Sequence, residues 1–293
     1  MIVNRSHQVL VHGITGRQGT FWTQQMQAYG TNIVGGVNPK KAGSYHCQVP
    51  VFASAEEAAS SLDGGVDVSV LFVPPQGALA AIEDAVAAQA SLVVVLTEFI
   101  PVHDTIRAID TANKAGTTII GPNTAGIVTP GQTFVGFMPA FDQRIFMPGN
   151  VGVISRSGSL GTLACLELTR AGFGQSAFLG VGGDPVSGTT SADAFAALEA
   201  DETTEAVVLI GEIGGRKEED AAEVIARSSK PVVSFLAGRV SPPGKRMGHA
   251  GAIVDGTTGT YESKRSALEA SGVVVVDVPW QIPDALAAIM KQT

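Results

Sequence analysis

Cysteine is scarce: Cys47 and Cys165 are the two in 293 residues, and they stand far apart. That excludes a disulfide framework, offers no metal-ligand spacing, and points to a reducing compartment. No metal site is expected. A basic excess is also lacking. Nineteen Lys and Arg against 27 Asp and Glu leave a net charge of −8, which argues against sequence-independent binding to nucleic acid or an anionic membrane. A local basic pocket for a phosphorylated ligand is not excluded. No apolar run reaches the length of a membrane span. The start Met1-Ile2-Val3-Asn4-Arg5-Ser6-His7 has neither the apolar core of a secretion signal nor the Arg/Ser richness of a transit peptide. A cytoplasmic protein is expected.

What is present is a regular alternation. Short β-branched runs at 8–12, 32–37, 66–73, 92–96 and 118–120 are separated by helical patterns near 20–29, 55–60, 78–90 and 103–115. Nearly continuous apolar strands of this length belong to a parallel sheet covered on both faces. The Phe-, Met-, Pro- and Gly-rich stretch 130–150 breaks the rhythm and reads as a connection between domains. Alternation then resumes, with strands near 151–154, 176–180, 206–210, 232–236 and 273–276. The expected fold is α/β, with two doubly wound parallel-sheet domains over 1–129 and 151–293. Thirty-five glycines suit the many tight strand-to-helix turns that such a fold needs.

The first such turn is Gly13-Ile14-Thr15-Gly16-Arg17-Gln18-Gly19-Thr20. Glycines there let backbone amides and a helix start approach a pyrophosphate. The spacing is G-x-x-G-x-x-G, a loose match to the dinucleotide fingerprint. An NAD site wants an acid at the end of the second strand. This chain has Val37-Asn38-Pro39-Lys40-Lys41 instead, which favours an additional phosphate, as on coenzyme A or NADP. A solvated Lys pair is the plain alternative. Val73-Pro74-Pro75-Gln76, Leu96-Thr97-Glu98 and Gly121-Pro122-Asn123 lie at later strand ends, along the edge where open sheets bind ligands.

In the second half, Ser155-Arg156-Ser157-Gly158-Ser159 and Gly182-Gly183-Asp184-Pro185 follow consecutive strands. Both are expected to open helices whose free amides suit a phosphate or carboxylate, with ordinary N-capping as the alternative. Gly211-Glu212-Ile213-Gly214-Gly215 places an acid in a glycine turn. Gly244-Lys245-Arg246-Met247-Gly248-His249-Ala250-Gly251 places a histidine between glycines, downstream of two cations. Imidazole is a competent nucleophile toward phosphorus, and a carboxylate on its other nitrogen would orient it. Taken alone, a histidine in such a loop is an ordinary solvated residue. Strand ends would bring Ser157, Glu212 and His249 to one edge.

Together the blocks 13–20, 34–41, 121–123, 155–158, 180–185, 211–215 and 244–252 resemble the α subunit of succinyl-CoA synthetase, the succinate–CoA ligase (ADP- or GDP-forming) family. The resemblance covers essentially the whole chain. It implies a Rossmann-like CoA-binding domain followed by a flavodoxin-like ligase domain. It makes His249 a transient phosphohistidine and Glu212 its stabilising partner. Coenzyme A would contact Thr15, Gly16, Arg17, Gln18, Lys41, Leu96, Thr97 and Glu98, with Val73, Pro74 and Asn123 on the same edge. Ser157, Gly158, Ser159, Thr162, Gly183 and Asp184 would hold phosphate and the carboxylate. ATP or GTP with Mg would bind mainly on a β subunit carrying an ATP-grasp domain, in an αβ or α2β2 assembly, since this chain shows no P-loop.

Three departures from the family pattern stand out. In Ser157-Gly158-Ser159-Leu160-Gly161-Thr162-Leu163, Thr162 and Leu163 replace the family's Tyr and Glu. Thr124 stands where the family has cysteine, and Ser187-Gly188-Thr189-Thr190 replaces Pro-Gly-Ser-Asn. The nucleophile is untouched, so an altered carboxylate pocket for succinate or a related acid is expected. A malate- or citrate-type ligase subunit, or a non-catalytic CoA-binding regulatory protein, are the alternatives. An NADP oxidoreductase is disfavoured by the glycine spacing, and serine hydrolysis by the lack of a G-x-S-x-G elbow.

Overall fold

Strand β1 (Val9–His12) is buried at all four positions, as a central strand covered on both faces must be. The computed structural model describes residues 1–242, 248–254 and 259–291. Among these, the first sheet is ordered β3 (Tyr45–His46), β4 (Val49–Phe52), β2 (Ile33–Val37), β1, β5 (Val68–Leu71), β6 (Leu92–Val95), β7 (Thr118–Ile120). Every neighbouring pair is parallel except the β3–β4 hairpin. Without the β3 edge this is the strand order of a Rossmann sheet, with its switch point between β1 and β5. Helices α1 (Arg17–Tyr29), α2 (Ala55–Ser61), α3 (Pro75–Ala87) and α4 (Val102–Ala115) make the crossovers.

The second sheet is ordered β14 (Val274–Val276), β13 (Val232–Ala237), β12 (Ala206–Glu212), β10 (Pro148–Ser155), β11 (Gln175–Gly180), β8 (Gly126–Thr129), β9 (Thr133–Gly136). Strands β10 to β14 are parallel, in a flavodoxin-like order, while β8 and β9 add an antiparallel edge. Helices α5 (Gly158–Arg170), α6 (Ser191–Glu199), α7 (Lys217–Ile225), α8 (Tyr261–Ala270) and α9 (Ile282–Met290) cover it. The core beneath includes Phe146 edge-on to Phe178, with ring centroids 5.9 Å apart. Truncating a buried Phe of this kind to Ala costs about 3–5 kcal/mol.

The stretch 130–150, expected as a connection, is in part sheet. Strands β8 and β9 belong to the second sheet, so the chain enters it at Gly126, ahead of the expected boundary. The reason is the turn Thr129-Pro130-Gly131-Gln132. Proline suits its first corner, Gly131 takes φ +74 at the second, and Gln132 N–H donates to Thr129 O at 3.0 Å. The hairpin also ties the two domains. Thr31 Oγ1 donates to Phe134 O (2.8 Å), Arg5 donates to Gly131 O (2.8 Å), and Gly131 N–H donates to the Tyr29 hydroxyl (2.8 Å). None of the described helices is long and apolar enough to cross a membrane.

Candidate active site

The glycine turn after β1 leads into α1. Gly16 caps that helix in extended conformation with no side-chain bond, so the first-turn amides are left for a ligand. Thr15 Oγ1 accepts from Asn38 Nδ2 at 2.6 Å, which holds the turn against the end of β2. Arg17, Gln18, Lys40 and Lys41 are exposed beside it. Two cavities open on either side of Val73. One, of about 440 Å³, is lined by His12, Asn38, Ser54 and Asp84. The other, of about 470 Å³, is lined by Gln18, Trp22, Leu96, Thr97 and Phe137. Pro74 instead caps α3 and lines neither.

His12, at the floor of the first cavity, is buried, and that burial pushes its pKa down to about 4. Its Nε2 has no partner, and its Nδ1 lies 3.9 Å from the Asp84 carboxylate. Burial also raises Asp84, partly offset by the bond it accepts from Ala55 N–H.

The cradle and the second domain meet at Asn123. Its N–H donates to Thr97 O (3.0 Å), its carbonyl accepts from Gly183 N–H (3.3 Å), and its Nδ2 donates to Asp184 (2.9 Å). The Cα of Gly183 in turn faces His249: a Cβ there would lie 2.5 Å from the ring. Gly251 N–H donates to Gly183 O (3.2 Å), which locks the histidine loop against this turn.

His249 Nδ1 lies 2.9 and 2.8 Å from the two carboxylate oxygens of Glu212, at the end of β12. The bond to Glu212 raises the His249 pKa against the opposing effect of burial; the charge of Glu98 adds to the rise and that of Arg156 lowers it. With Nδ1 engaged, neutral His249 carries its free lone pair on Nε2. Lys245 and Arg246, expected beside it, lie outside the described residues.

The expectation of two open helix starts is corrected in one half. Ser157 caps α5, accepting from Leu160 N–H at 3.3 Å, and Gly158 and Ser159 form its first turn. Helix α6 is closed by its own residues: Thr190 and Asp193 form a reciprocal capping box, so an acid already occupies that N-terminus. The Gly183–Asp184 turn packs on the histidine loop instead. Thr162 Oγ1 donates back to Gly158 O (2.7 Å). Thr124 is buried and donates to Gly180 O, which makes it a tie between loops.

A set of buried charges behind Glu212 escaped sequence reasoning. Arg156 is 3% exposed and lies 3.2 Å from the Glu212 carboxylate. It also donates to the carbonyls of Glu212 (3.1 Å) and Gly214 (3.2 Å) and to Glu218 (3.2 Å). Glu218 and Lys264 are 0% exposed and paired, and Lys264 reaches Glu219 at 3.0 Å. Burial alone would raise Glu218, but Arg156 and Lys264 outweigh it and hold it below the usual carboxylate range. Lys217 donates to Asp184 O at 2.7 Å; burial, then the charge of Arg156, lowers it to about 8. Among the described residues no cluster of His, Cys, Asp and Glu could hold a metal ion.

These two halves define a class. Residues 4–99 match the CoA binding domain family and residues 154–274 match the CoA-ligase family. The α subunit of succinate–CoA ligase (ADP-forming) from Methanothermobacter thermautotrophicus is 49% identical over 98% of this chain and 96% of its own length. A second such α subunit, from Archaeoglobus fulgidus, is 48% identical over 99% of both chains, and that of Aquifex aeolicus is 44% identical over 99% of this chain and 95% of its own. The chain belongs to the family of succinate–CoA ligase (ADP-forming) α subunits. Among solved structures, ATP citrate lyase from Methanothrix soehngenii in complex with citrate and coenzyme A has a similar fold (TM-score 0.87, 23% identity), covering 98% of this chain and 51% of that one. The dinucleotide-forming acetyl-coenzyme A synthetase 1 of Ca. Korarchaeum cryptofilum gives TM-score 0.73 at 22% identity over 93% of this chain and 58% of that one. This chain thus spans about half the length of the structures it matches.

Proposed function

We propose that this chain is the α subunit of a nucleoside-triphosphate-dependent carboxylate–CoA ligase that works through a phosphohistidine at His249. The observation that carries the reading is the Glu212 carboxylate on Nδ1, 2.8 Å away, which leaves Nε2 as the single nucleophilic nitrogen. In the forward sense, Nε2 attacks the terminal phosphorus of ATP or GTP; an N–P bond forms and the P–O bond to the diphosphate breaks. The carboxylate substrate then takes the phosphoryl group as an acyl phosphate. The CoA thiolate attacks the acyl carbon and inorganic phosphate leaves. All three linkages are high in energy, so the sequence runs in both directions.

The chain's own contributions are binding and placement. The amides at the start of α1 take the CoA pyrophosphate, the lysines after β2 its ribose phosphate, and the cavity of Gln18, Leu96 and Thr97 the arm leading toward His249. Asn123 couples that cradle to the histidine turn. The first turn of α5, at Ser157, Gly158 and Ser159, suits the phosphate. A partner subunit with an ATP-grasp domain supplies the nucleotide site and its Mg. Succinate or a related carboxylate is the substrate class, and Thr162, on α5 beside Gly158, is a shorter side chain than a tyrosine there would be. Co-expression with the partner and assay of carboxylate-dependent thioester and phosphate formation tests this. Activity over a panel of mono- and dicarboxylates that is lost in His249→Ala is expected; equal activity in that variant contradicts it.

A further inference from the structure

Glu212 is oriented from behind by a buried charge chain that the ligase chemistry does not itself require. Arg156 meets Glu212 twice, at the carboxylate (3.2 Å) and at the carbonyl (3.1 Å), and meets Glu218 at 3.2 Å. Glu218 Oε1 also accepts from Glu212 N–H at 3.2 Å, so Arg156 and Glu218 together grip backbone and side chain of one residue. Lys264, from α8, closes the far side of Glu218. Each of these three side chains is at least 97% buried by its own neighbours. Burying three charges is costly, and replacing such sets by apolar residues is often neutral or stabilising. The place of this set, directly behind the candidate nucleophile's partner, points to a role other than stability.

We infer that Arg156, held by Glu218 and Lys264, is a positioning residue that aims the Glu212 carboxylate at His249 Nδ1 and so selects Nε2 as the phosphoryl acceptor. The inference rests on the phosphohistidine reading above for its consequence, but the alignment of Glu212 can be tested without it. A glutamate carboxylate at the tip of a strand can turn about three side-chain torsions. Unanchored, it would turn away to solvent or meet Nε2 as readily as Nδ1. Anchored by a guanidinium at one oxygen, it presents both oxygens to Nδ1, as the 2.9 and 2.8 Å distances record. Arg156 does not touch the imidazole through any hydrogen bond among the described residues; it acts through Glu212.

Nitrogen-15 NMR on histidine-labelled full-length chain, with His249→Gln to assign the ring, reads the tautomer directly. The wild type is expected to hold neutral His249 as the Nδ1–H form by about tenfold or more, the bias of one charge-assisted hydrogen bond. Arg156→Gln should reduce that ratio to a mixture within about twofold of even. Lys264→Met should move it in the same direction, and Arg156→Lys should restore it in part. If Arg156→Gln fails to fold, Lys264→Met and Arg156→Lys decide. An unchanged Nδ1–H bias in the folded variants overturns the inference. In the partnered complex with ATP, phosphorus NMR should find phosphate on Nε2 in the wild type, and slower, mixed labelling in Arg156→Gln. Absence of any label in the wild type would overturn the phosphohistidine reading and leave the tautomer result to judge Arg156.

Discussion

Gly183 has no room for a side chain because His249 stands where one would go, 2.5 Å from an ideal Cβ to ring atoms Cγ and Nδ1. The glycine turn is therefore the wall against which the imidazole is set. Gly183→Ala should push the ring off Glu212 and lower turnover by at least about tenfold, the scale on which small displacements of a reacting group act. The fold should be retained, by circular dichroism and melting. Gly77→Ala, where a Cβ meets nothing within 4 Å, is the control and should keep wild-type turnover.

The His249–Glu212 pair makes stability depend on pH in a definite direction. The bond to Glu212 raises the His249 pKa above its unfolded value of 6.5. The stabilisation is therefore fully present below 6.5 and is lost as pH rises through the folded value. The stability gap between the wild type and Glu212→Gln in thermal melts should be largest just below pH 6.5 and narrow as pH rises through the folded value, down to the part left by the lost Arg156 contact. A gap that widens toward alkaline pH would contradict this sign.

His12 acts in the opposite range. Its pKa falls from 6.5 to about 4 because the ring is buried, so folding excludes the proton. The native state loses stability as pH falls from 6.5 to about 4, by about 3 kcal/mol in all. His12→Gln, which cannot take up that proton, should flatten the dependence over this window in denaturant melts.

Lys41 stands exposed at the end of the Pro39–Lys41 turn, beside the glycine cradle. Lys41→Gln should raise the KM for CoA by about fivefold, the effect of about 1 kcal/mol from an exposed charge on a phosphate. It should leave dephospho-CoA nearly unchanged, as kinetics with the two thiols would show. Equal losses for both would move the ribose phosphate elsewhere.

Much of this was legible in the residues. Apolar runs placed β1, β2, β5 to β7 and β10 to β14 within a few positions, because strands buried on both faces leave an uninterrupted signal. The β8–β9 hairpin is hidden in the sequence, although Pro130-Gly131 is a turn signal, because four-residue strands beside Phe- and Met-rich coil have no period to read. Glu212 and His249 were paired from strand-end logic, and the structure brings them together. Arg156, Glu218 and Lys264 were invisible as a group. Glu218 opens α7 among other acids and Lys264 sits mid-helix in α8, and nothing local distinguishes them from solvated charges. Their burial follows from the packing of α7 against α8 and from Arg156 arriving from another strand. The start of α6 hides its closure for a related reason: Thr190 reads as a cap, but Asp193 completes a closed box rather than an open anion site.

His249 Nε2 is proposed to carry the phosphoryl group between nucleotide and carboxylate. The most direct measurement is to incubate the co-expressed pair with terminally labelled ATP, map the protein-bound label, and chase with carboxylate and CoA. Acid-labile, base-stable label on His249 that leaves as inorganic phosphate during the chase is expected. Label that persists in His249→Ala, or that stays on the protein when both acceptors are added, would contradict it.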